Sequence, residues 1–153
     1  MTDQQFLKKA VTLAHKSVIR GGFPAGALIV NDNKIIATGL SLGFLLHDPT
    51  SHAETVCVRR ACKNLHTSDL SGATLYASLQ PCLMCYSGAN WANISRIVYG
   101  CRKTADMVAK KYYEGKNDLE KINQQNTHQI KIDFLPNFEE DMLRLLESWE
   151  KSL

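Results

Sequence analysis

The sequence predicts an α/β fold in a single domain, and three observations lead to that prediction. Apolar residues recur at helical spacing near both ends of the chain. Two short β-type runs surround a polar turn in the first third of the chain, which indicates a hairpin. Further along, a strand-like run is twice followed by a helical segment, which indicates parallel strands with crossover connections. The length of 153 residues is sufficient for one domain with a hydrophobic core.

The composition narrows the classes of protein to consider. Hydrophobic residues make up 44% of the chain and charged residues 22%, which is typical of a globular protein. We expect no membrane partner, because the sequence has neither an apolar run long enough to cross a membrane nor a signal peptide. The five cysteines are few and odd in number, so a disulfide scaffold is not expected. Free thiols favour a reducing compartment such as the cytoplasm. The net charge of +3 makes nucleic acid a less favoured partner than a small molecule.

The first part of the chain is predicted to form a helix, a hairpin and a loop. The helix spans 3–20, where apolar residues follow the helical period. The two strands of the hairpin span 26–30 and 35–40. Residues 41–50 are expected to form a loop, because Pro49 disfavours a continued helix at the residue before it.

The next helix is predicted to be capped by Ser51 or Thr50 and to run to about Leu65. Ser51 and Glu54 have the spacing of a capping box, in which each of the two side chains bonds to the backbone N–H of the other residue. This structural role is an alternative to a catalytic role for Glu54.

The rest of the chain continues the alternation of strands and helices. A strand is predicted over 73–78, followed by a helix over 81–93, where Pro81 suits the first helical position. Another strand follows over 95–100. The tail is expected to contain helices over 104–113, 118–125 and 138–151 and a strand over 128–135.

Two short motifs carry the chemistry: His52-Ala53-Glu54, and Pro81-Cys82-Leu83-Met84-Cys85. Imidazole and thiolate groups are zinc ligands, and a catalytic zinc keeps three protein ligands and leaves its fourth position to water. The set His52, Cys82 and Cys85, with a carboxylate that is not needed as a ligand, therefore indicates one catalytic Zn²⁺ per chain. H-x-E followed by P-C-x-x-C is the signature of zinc-dependent base deaminases.

The predicted reaction is hydrolytic deamination of an amino-substituted ring. Zinc lowers the pKa of a bound water to about 7, and the resulting hydroxide would attack the ring carbon that bears the amino group. Glu54 would move the proton to the ring nitrogen and the departing ammonia. His52 and Glu54 point to opposite sides of a regular helix, so both reach one pocket only if the helix faces it end-on. A C-x-x-C alone would also fit a structural zinc or a redox site.

The sequence resembles the cytidine-deaminase-like superfamily, in the branch that contains bacterial guanine deaminases and tRNA adenosine deaminases. The resemblance covers about residues 1–105 and is carried by four stretches, at 6–13, 48–54, 60–62 and 75–92. It implies a three-layer α/β/α sandwich with a five-stranded mixed sheet, and a homodimer. It also implies zinc on the three residues named above, with Glu54 as proton shuttle.

The resemblance further implies substrate contacts at Phe23, Ser41, Trp91 and the backbone N–H of Ala53. Ser41 stands where many relatives have an asparagine, and a hydroxyl cannot replace both the donor and the acceptor of an amide. The leading hypothesis for the substrate is a purine base such as guanine, or a small nucleoside. The alternatives are tRNA adenosine-to-inosine deamination, cytosine or cytidine deamination, and a non-catalytic protein that binds zinc and a ligand.

Three further features bear on the substrate. Gln80 replaces the glutamate that usually precedes P-C-x-x-C in the family that the sequence resembles. The apolar loop 42–46 is expected either to form a wall of a pocket or to pack in a dimer. Tyr112 and Tyr113 could stack on a base. Tyrosines more often lie in the core or on the surface without contacting a ligand.

Overall fold

The structure, a computed structural model of residues 1–153, contains one mixed five-stranded sheet flanked by helices. The elements in chain order are α1 (Asp3–Ile19), β1 (Phe23–Asn31), β2 (Lys34–Ser41), α2 (Gly43–Leu46), α3 (Ala53–Leu65), β3 (Thr74–Ala77), α4 (Leu83–Trp91), β4 (Arg96–Tyr99), α5 (Ala105–Ala109), α6 (Leu119–Gln125), β5 (Lys131–Phe134), a 3₁₀ turn (Pro136–Phe138) and α7 (Glu139–Lys151). None of the helices has the length and apolar composition that a membrane crossing requires.

The strand order is β2-β1-β3-β4-β5. β1 pairs antiparallel with both β2 and β3, whereas β3, β4 and β5 run parallel to one another. The predicted hairpin, the parallel strands with crossover helices and the five-stranded mixed sheet are therefore confirmed.

Both faces of the sheet are buried, which is the basis of the layered architecture. Successive side chains of a strand point to opposite faces. One face packs on α1, through the buried residues Phe6, Leu7, Ala10, Leu28, Val30, Tyr76 and Val98. The other face packs on α3 and α4, through a larger cluster that includes Ala27, Ile29, Leu75, Ile97, Cys57, Ala61, Tyr86 and Ala89. Helices thus cover the sheet on two sides, as the α/β/α prediction requires.

Several strand ends meet at one edge of the sheet, the edge at which the parallel strands end. Phe23 at the start of β1 lies opposite Ser41 at the end of β2. Ala77 at the end of β3 pairs with Ala27 of β1 and with Tyr99 at the end of β4. The loops that lead into α3 and α4 begin at this edge, outside the carboxyl ends of the parallel strands, where ligands bind in open α/β sheets.

The approach of α3 to the sheet depends on Gly39 in β2. A Cβ atom at Gly39 would overlap the carbonyl oxygen of Ala53, the first residue of α3. Only glycine therefore allows the start of α3 to lie this close to β2.

The predicted starts of the two central helices are wrong by one or two residues. α3 begins at Ala53 with His52 as its N-cap residue, and the Ser51 hydroxyl donates to Asp48 instead of capping the helix. The capping box of Ser51 and Glu54 is therefore absent. α4 begins at Leu83 with Cys82 as its N-cap residue, so Pro81 precedes the helix. Both helices begin later than predicted because the backbone of each N-cap residue, His52 and Cys82, is extended.

Three further boundaries differ from the prediction. The loop over 41–50 contains one helical turn, α2. The helix predicted over 104–113 ends at Ala109, because Lys111 adopts a positive φ of 64° that a right-handed helix cannot continue. The last strand covers only four residues, Lys131–Phe134.

Arg96 of β4 connects α1, β4 and β5 on the face of the sheet that α1 covers. Its guanidinium donates to both carboxylate oxygens of Asp3, at 2.9 Å each, and to Asp133 of β5 at 2.8 Å. The Tyr76 hydroxyl also donates to Asp3, at 2.6 Å. The hydrogen bonds from Arg96 and then from Tyr76 lower the pKa of Asp3 against the opposing effect of its partial burial. The start of α1 is thereby tied to the centre of the sheet.

We predict that Asp3→Asn lowers the free energy of unfolding at neutral pH by about 1 kcal/mol, a modest value because the Asp3 side chain is 37% exposed and screened by solvent. Because folding lowers the pKa of Asp3, its contribution is complete above the unfolded pKa of about 3.9 and is lost as the pH falls through the folded value. Urea denaturation at pH 7 and pH 3 should therefore show a difference between variant and wild type that shrinks in acid. Glu147→Gln, at an exposed pair on α7, should leave both curves unchanged. An equal difference at both pH values would contradict the prediction.

Candidate active site

The starts of α3 and α4 meet beneath the sheet edge, and this contact forms the candidate site. His52 Nδ1 lies 3.4 Å from Cys82 Sγ. The ligand atoms of His52, Cys82 and Cys85 all lie within 4.8 Å of one another, so the three residues could hold a metal ion. The predicted donor set is thus brought together by two helices whose motifs are far apart in the chain.

The donor geometry is compatible with zinc. Tetrahedral bonds of about 2.3 Å to sulfur and 2.0 Å to nitrogen place such donors about 3.5 Å apart. The observed separation between His52 Nδ1 and Cys82 Sγ is close to that value. Three protein donors also leave one tetrahedral position open, which is the pattern of catalytic zinc.

Asp48 fixes the loop that presents His52. One of its carboxylate oxygens accepts hydrogen bonds from the Thr50 hydroxyl at 2.7 Å and the Thr50 N–H at 2.9 Å, and the other accepts one from the Ser51 hydroxyl at 2.7 Å. These bonds, led by the one from the Thr50 hydroxyl, lower the pKa of Asp48 to about 2. The carboxylate therefore stays charged, and the turn stays closed, throughout the neutral range.

The two thiols differ in their affinity for a proton. A hydrogen bond from the Cys85 thiol, and next the neighbouring His52, lower the pKa of Cys82 to about 5 despite burial. The same hydrogen bond, together with burial, raises the pKa of Cys85 well above its usual value. Cys82 is therefore already a thiolate at neutral pH, whereas Cys85 would release its proton on metal binding.

Glu54 is the second residue of α3 and only 7% exposed. Burial, and next the negative charge of Cys82, raise the pKa of Glu54 to about 7. A carboxyl group with a pKa near the operating pH can both accept and release a proton, which is what general acid–base catalysis requires. The N-cap position of His52 explains how both residues reach one cavity, because His52 is extended rather than helical.

A cavity of about 860 Å³ opens above these groups. This volume lies within the range of roughly 300–1,000 Å³ that is usual for ligand sites. Of the predicted residues, the cavity is lined by Phe23, Ser41, His52, Glu54 and Cys82. Cys85 is fully buried behind them.

Three aromatic rings form one side of the cavity. The Phe23 ring lies 5.2 Å from that of Tyr112 and 5.1 Å from that of Trp149, both edge-on, and the rings of Tyr112 and Trp149 are 5.9 Å apart. Glu150 holds this side together, because it accepts hydrogen bonds from the Tyr112 hydroxyl at 3.0 Å and from Lys110 at 2.8 Å. The C-terminal helix thus closes the cavity of its own chain.

The predicted substrate contacts fall in different places. Ser41 is 6% exposed and bonds to Ser17 through its backbone, which leaves its hydroxyl to the cavity. Ala53 is the first residue of α3, where an N–H group has no acceptor within the helix. The structure does not bring Trp91 to the cavity: it ends α4 and is 86% exposed. Trp149 supplies the indole ring instead.

The loop after β4 contributes residues that the motifs did not reveal. Tyr113 is buried against the cavity, and its hydroxyl donates to the Gln80 carbonyl at 2.6 Å. Glu114 accepts hydrogen bonds from the N–H groups of Leu83 and Met84. No sequence signal identified Glu114 or Trp149, because neither lies near a motif. Tyr112 and Tyr113, which the sequence left open, both line the cavity, as does Phe44 of the apolar loop.

Comparison with known proteins assigns the class. The family model for the cytidine and deoxycytidylate deaminase zinc-binding region matches residues 1–101. The chain therefore belongs to this family, and the resemblance seen in the sequence is confirmed.

Two relatives and one solved structure indicate the branch. The chain is 43% identical over 101 residues to a tRNA-specific adenosine deaminase of Buchnera aphidicola, a match that covers 66% of the chain but 62%, less than two thirds, of that relative. It is 43% identical over 105 residues to the guanine deaminase of Bacillus subtilis, covering 68% of the chain and 67% of that relative. The X-ray structure of the Bacillus subtilis enzyme superposes with a TM-score of 0.69 at 33% identity, covering 99% of this chain and 95% of the other.

We predict that wild-type protein retains about one zinc per chain after dialysis, the stoichiometry of a three-donor site with an open position. His52→Ala, Cys82→Ser and Cys85→Ser should each lose most of that zinc, because two remaining donors do not complete the site. Metal content measured by mass spectrometry tests this. Cys62→Ser, a half-buried free thiol on α3, is the matched control and should retain zinc. Zinc retention in all three ligand variants would refute the assignment.

Proposed function

We propose that the protein is a zinc-dependent hydrolytic deaminase of a small amino-heterocycle, with a purine base such as guanine as the leading substrate. The observation that carries this proposal is the position of Glu54. Its carboxyl group, with a pKa of about 7, lines the same cavity as His52 and Cys82.

The reaction would replace the amino group of the ring by an oxygen from water and release ammonia. Zinc, when bound, supplies the Lewis acidity that makes water a nucleophile near neutral pH. Glu54 would accept one proton from the attacking water and deliver it to the ring nitrogen, where it stays. Glu54 would then transfer the second proton of that water to the amino group, so that the C–N bond breaks, ammonia leaves and the ring carbon keeps the oxygen as a carbonyl. His52, Cys82 and Cys85 hold the metal. Burial of Glu54 excludes bulk water from the proton transfer.

The outer cavity supports a small, flat substrate. Phe23, Tyr112 and Trp149 form a wall of aromatic faces and edges on which a ring can stack. The hydroxyl of Ser41, which lies opposite Phe23 at the end of β2, offers one hydrogen bond. The match to a guanine deaminase over most of its length supports a purine base.

Deamination of adenosine in tRNA is the second candidate, and the match to the Buchnera relative favours it. The charges at the cavity rim give it only partial support. Lys110, at the mouth, is already paired with Asp106 and Glu150, so its charge is largely compensated. Lys111, which also lines the cavity, is the cation that remains without an ion pair. Nucleic-acid affinity depends on cations that are free to contact phosphates.

We also propose that the chain forms a homodimer and works in the cytoplasm. Exposed side chains of α2, Phe44, Leu45 and Leu46, support an association surface, being 72%, 50% and 59% exposed. The five free cysteines support a reducing compartment.

We predict that zinc-loaded protein releases ammonia from guanine and that Glu54→Gln lowers the rate at least 10²-fold while retaining zinc, because only proton transfer is removed. The measurement is ammonia release across a panel of free bases, nucleosides and one tRNA, with zinc content determined in parallel. Release from tRNA alone would favour the second candidate, and release from cytosine or cytidine would assign a pyrimidine. If no compound of the panel releases ammonia although zinc is present, the non-catalytic alternative is favoured. Wild-type turnover in Glu54→Gln would exclude the assigned role.

We predict that Trp149→Ala raises the KM for the active substrate about tenfold, because loss of a ring from the aromatic wall removes roughly 1–2 kcal/mol of stacking and apolar contact. Trp91→Ala is the matched control, since its exposed side chain lies away from the cavity, and it should leave KM and kcat unchanged. Steady-state kinetics of both variants tests the wall. A larger effect of Trp91→Ala would restore the contact expected from the sequence.

A further inference from the structure

Helix α4 carries both cysteines in its first turn but lacks a cap of its own. The N-cap residue is Cys82, whose side chain makes no capping hydrogen bond. The first N–H groups of a helix have no intrahelical acceptor and need partners from elsewhere. Leu83 and Met84, which lie between the two cysteines, carry two of these groups.

Glu114 supplies the missing cap from a distant part of the chain. Its Oε1 atom accepts a hydrogen bond from the Leu83 N–H at 3.2 Å, and its Oε2 atom accepts one from the Met84 N–H at 3.0 Å. A carboxylate at the start of a helix is also favoured by the helix dipole. Both oxygens of Glu114 are thus directed at the backbone that joins the two thiols.

The loop that carries Glu114 is itself anchored close to the same motif. The Tyr113 hydroxyl donates to the Gln80 carbonyl at 2.6 Å. The Lys103 ammonium donates to the carbonyls of Asn117 at 2.6 Å and Gly115 at 3.2 Å, and the Lys103 N–H donates to the Gln80 side chain at 3.0 Å. Glu114 is therefore held on both sides by contacts that do not involve α4.

We infer that Glu114 is a positioning residue for the metal site: by binding the Leu83 and Met84 N–H groups it fixes the first turn of α4, and with it the spacing of the Cys82 and Cys85 sulfurs. This inference rests on the proposed zinc site. Without the carboxylate, the first turn loses two hydrogen bonds and the thiolates lose their fixed separation. Zinc would then bind more weakly, although all three of its donors remain.

The test is a zinc competition titration with a chromophoric chelator, using the full chain. Glu114→Ala should raise the zinc dissociation constant about tenfold, the lower end of the effect of residues that orient metal ligands. Glu114→Gln, which keeps one acceptor oxygen, should have a smaller effect in the same direction. Glu120→Gln removes a charge from the nearby start of α6 without touching α4 and should bind zinc like wild type.

Three outcomes would overturn the inference. An unchanged zinc dissociation constant with a raised KM would make Glu114 a substrate contact instead. Equal weakening in Glu120→Gln would reduce the effect to loss of negative charge. Absence of zinc from the wild type would refute the proposed metal site itself, and it is seen before any Glu114 variant is compared. Thermal melts of the metal-free proteins separate misfolding from loss of positioning. Metal-free Glu114→Gln should unfold in a single cooperative transition, as the wild type does.

Discussion

The candidate site depends on the close approach of two helix starts at one edge of the sheet. α3 reaches this edge because Gly39 has no side chain to separate it from β2. α4 reaches it because the short strand β3 ends there. The result is the 3.4 Å separation between His52 Nδ1 and Cys82 Sγ, and the other features of the site follow from it.

This approach concentrates groups that disfavour one another in the absence of a cation. A buried carboxyl, a thiolate and a second thiol lie together. Burial and next the charge of Cys82 raise the pKa of Glu54, and the hydrogen bond to Cys82 and next burial raise the pKa of Cys85. A divalent ion would compensate the two thiolates and leave Glu54 as the group that exchanges protons. In the absence of a cation the cluster is therefore unfavourable for folding, since burying unpaired charge is costly.

The part of the chain beyond the family match supplies one side of the cavity. The match ends at residue 101, whereas Tyr112, Tyr113, Glu114 and Trp149 all follow it. The proposed metal donors and Glu54 thus lie in the matched segment together with Phe23 and Ser41, whereas Tyr112 and Trp149 of the aromatic side lie beyond it.

The sequence by itself identified the candidate metal donors and the candidate acid–base residue, and it predicted the α/β class and most helices and strands, because these depend on residue type and on local periodicity. It misplaced the start of α3, since capping by Ser51 competes with the hydrogen bonds that Asp48 accepts from Thr50 and Ser51. It misplaced the start of α4, since Cys82 is extended and the helix begins after it. It also favoured Trp91, whose neighbours resemble the family motif, over Trp149. Only the tertiary structure decided that choice and revealed Glu114, because both depend on contacts between elements far apart in the chain, and local sequence carries no record of such contacts.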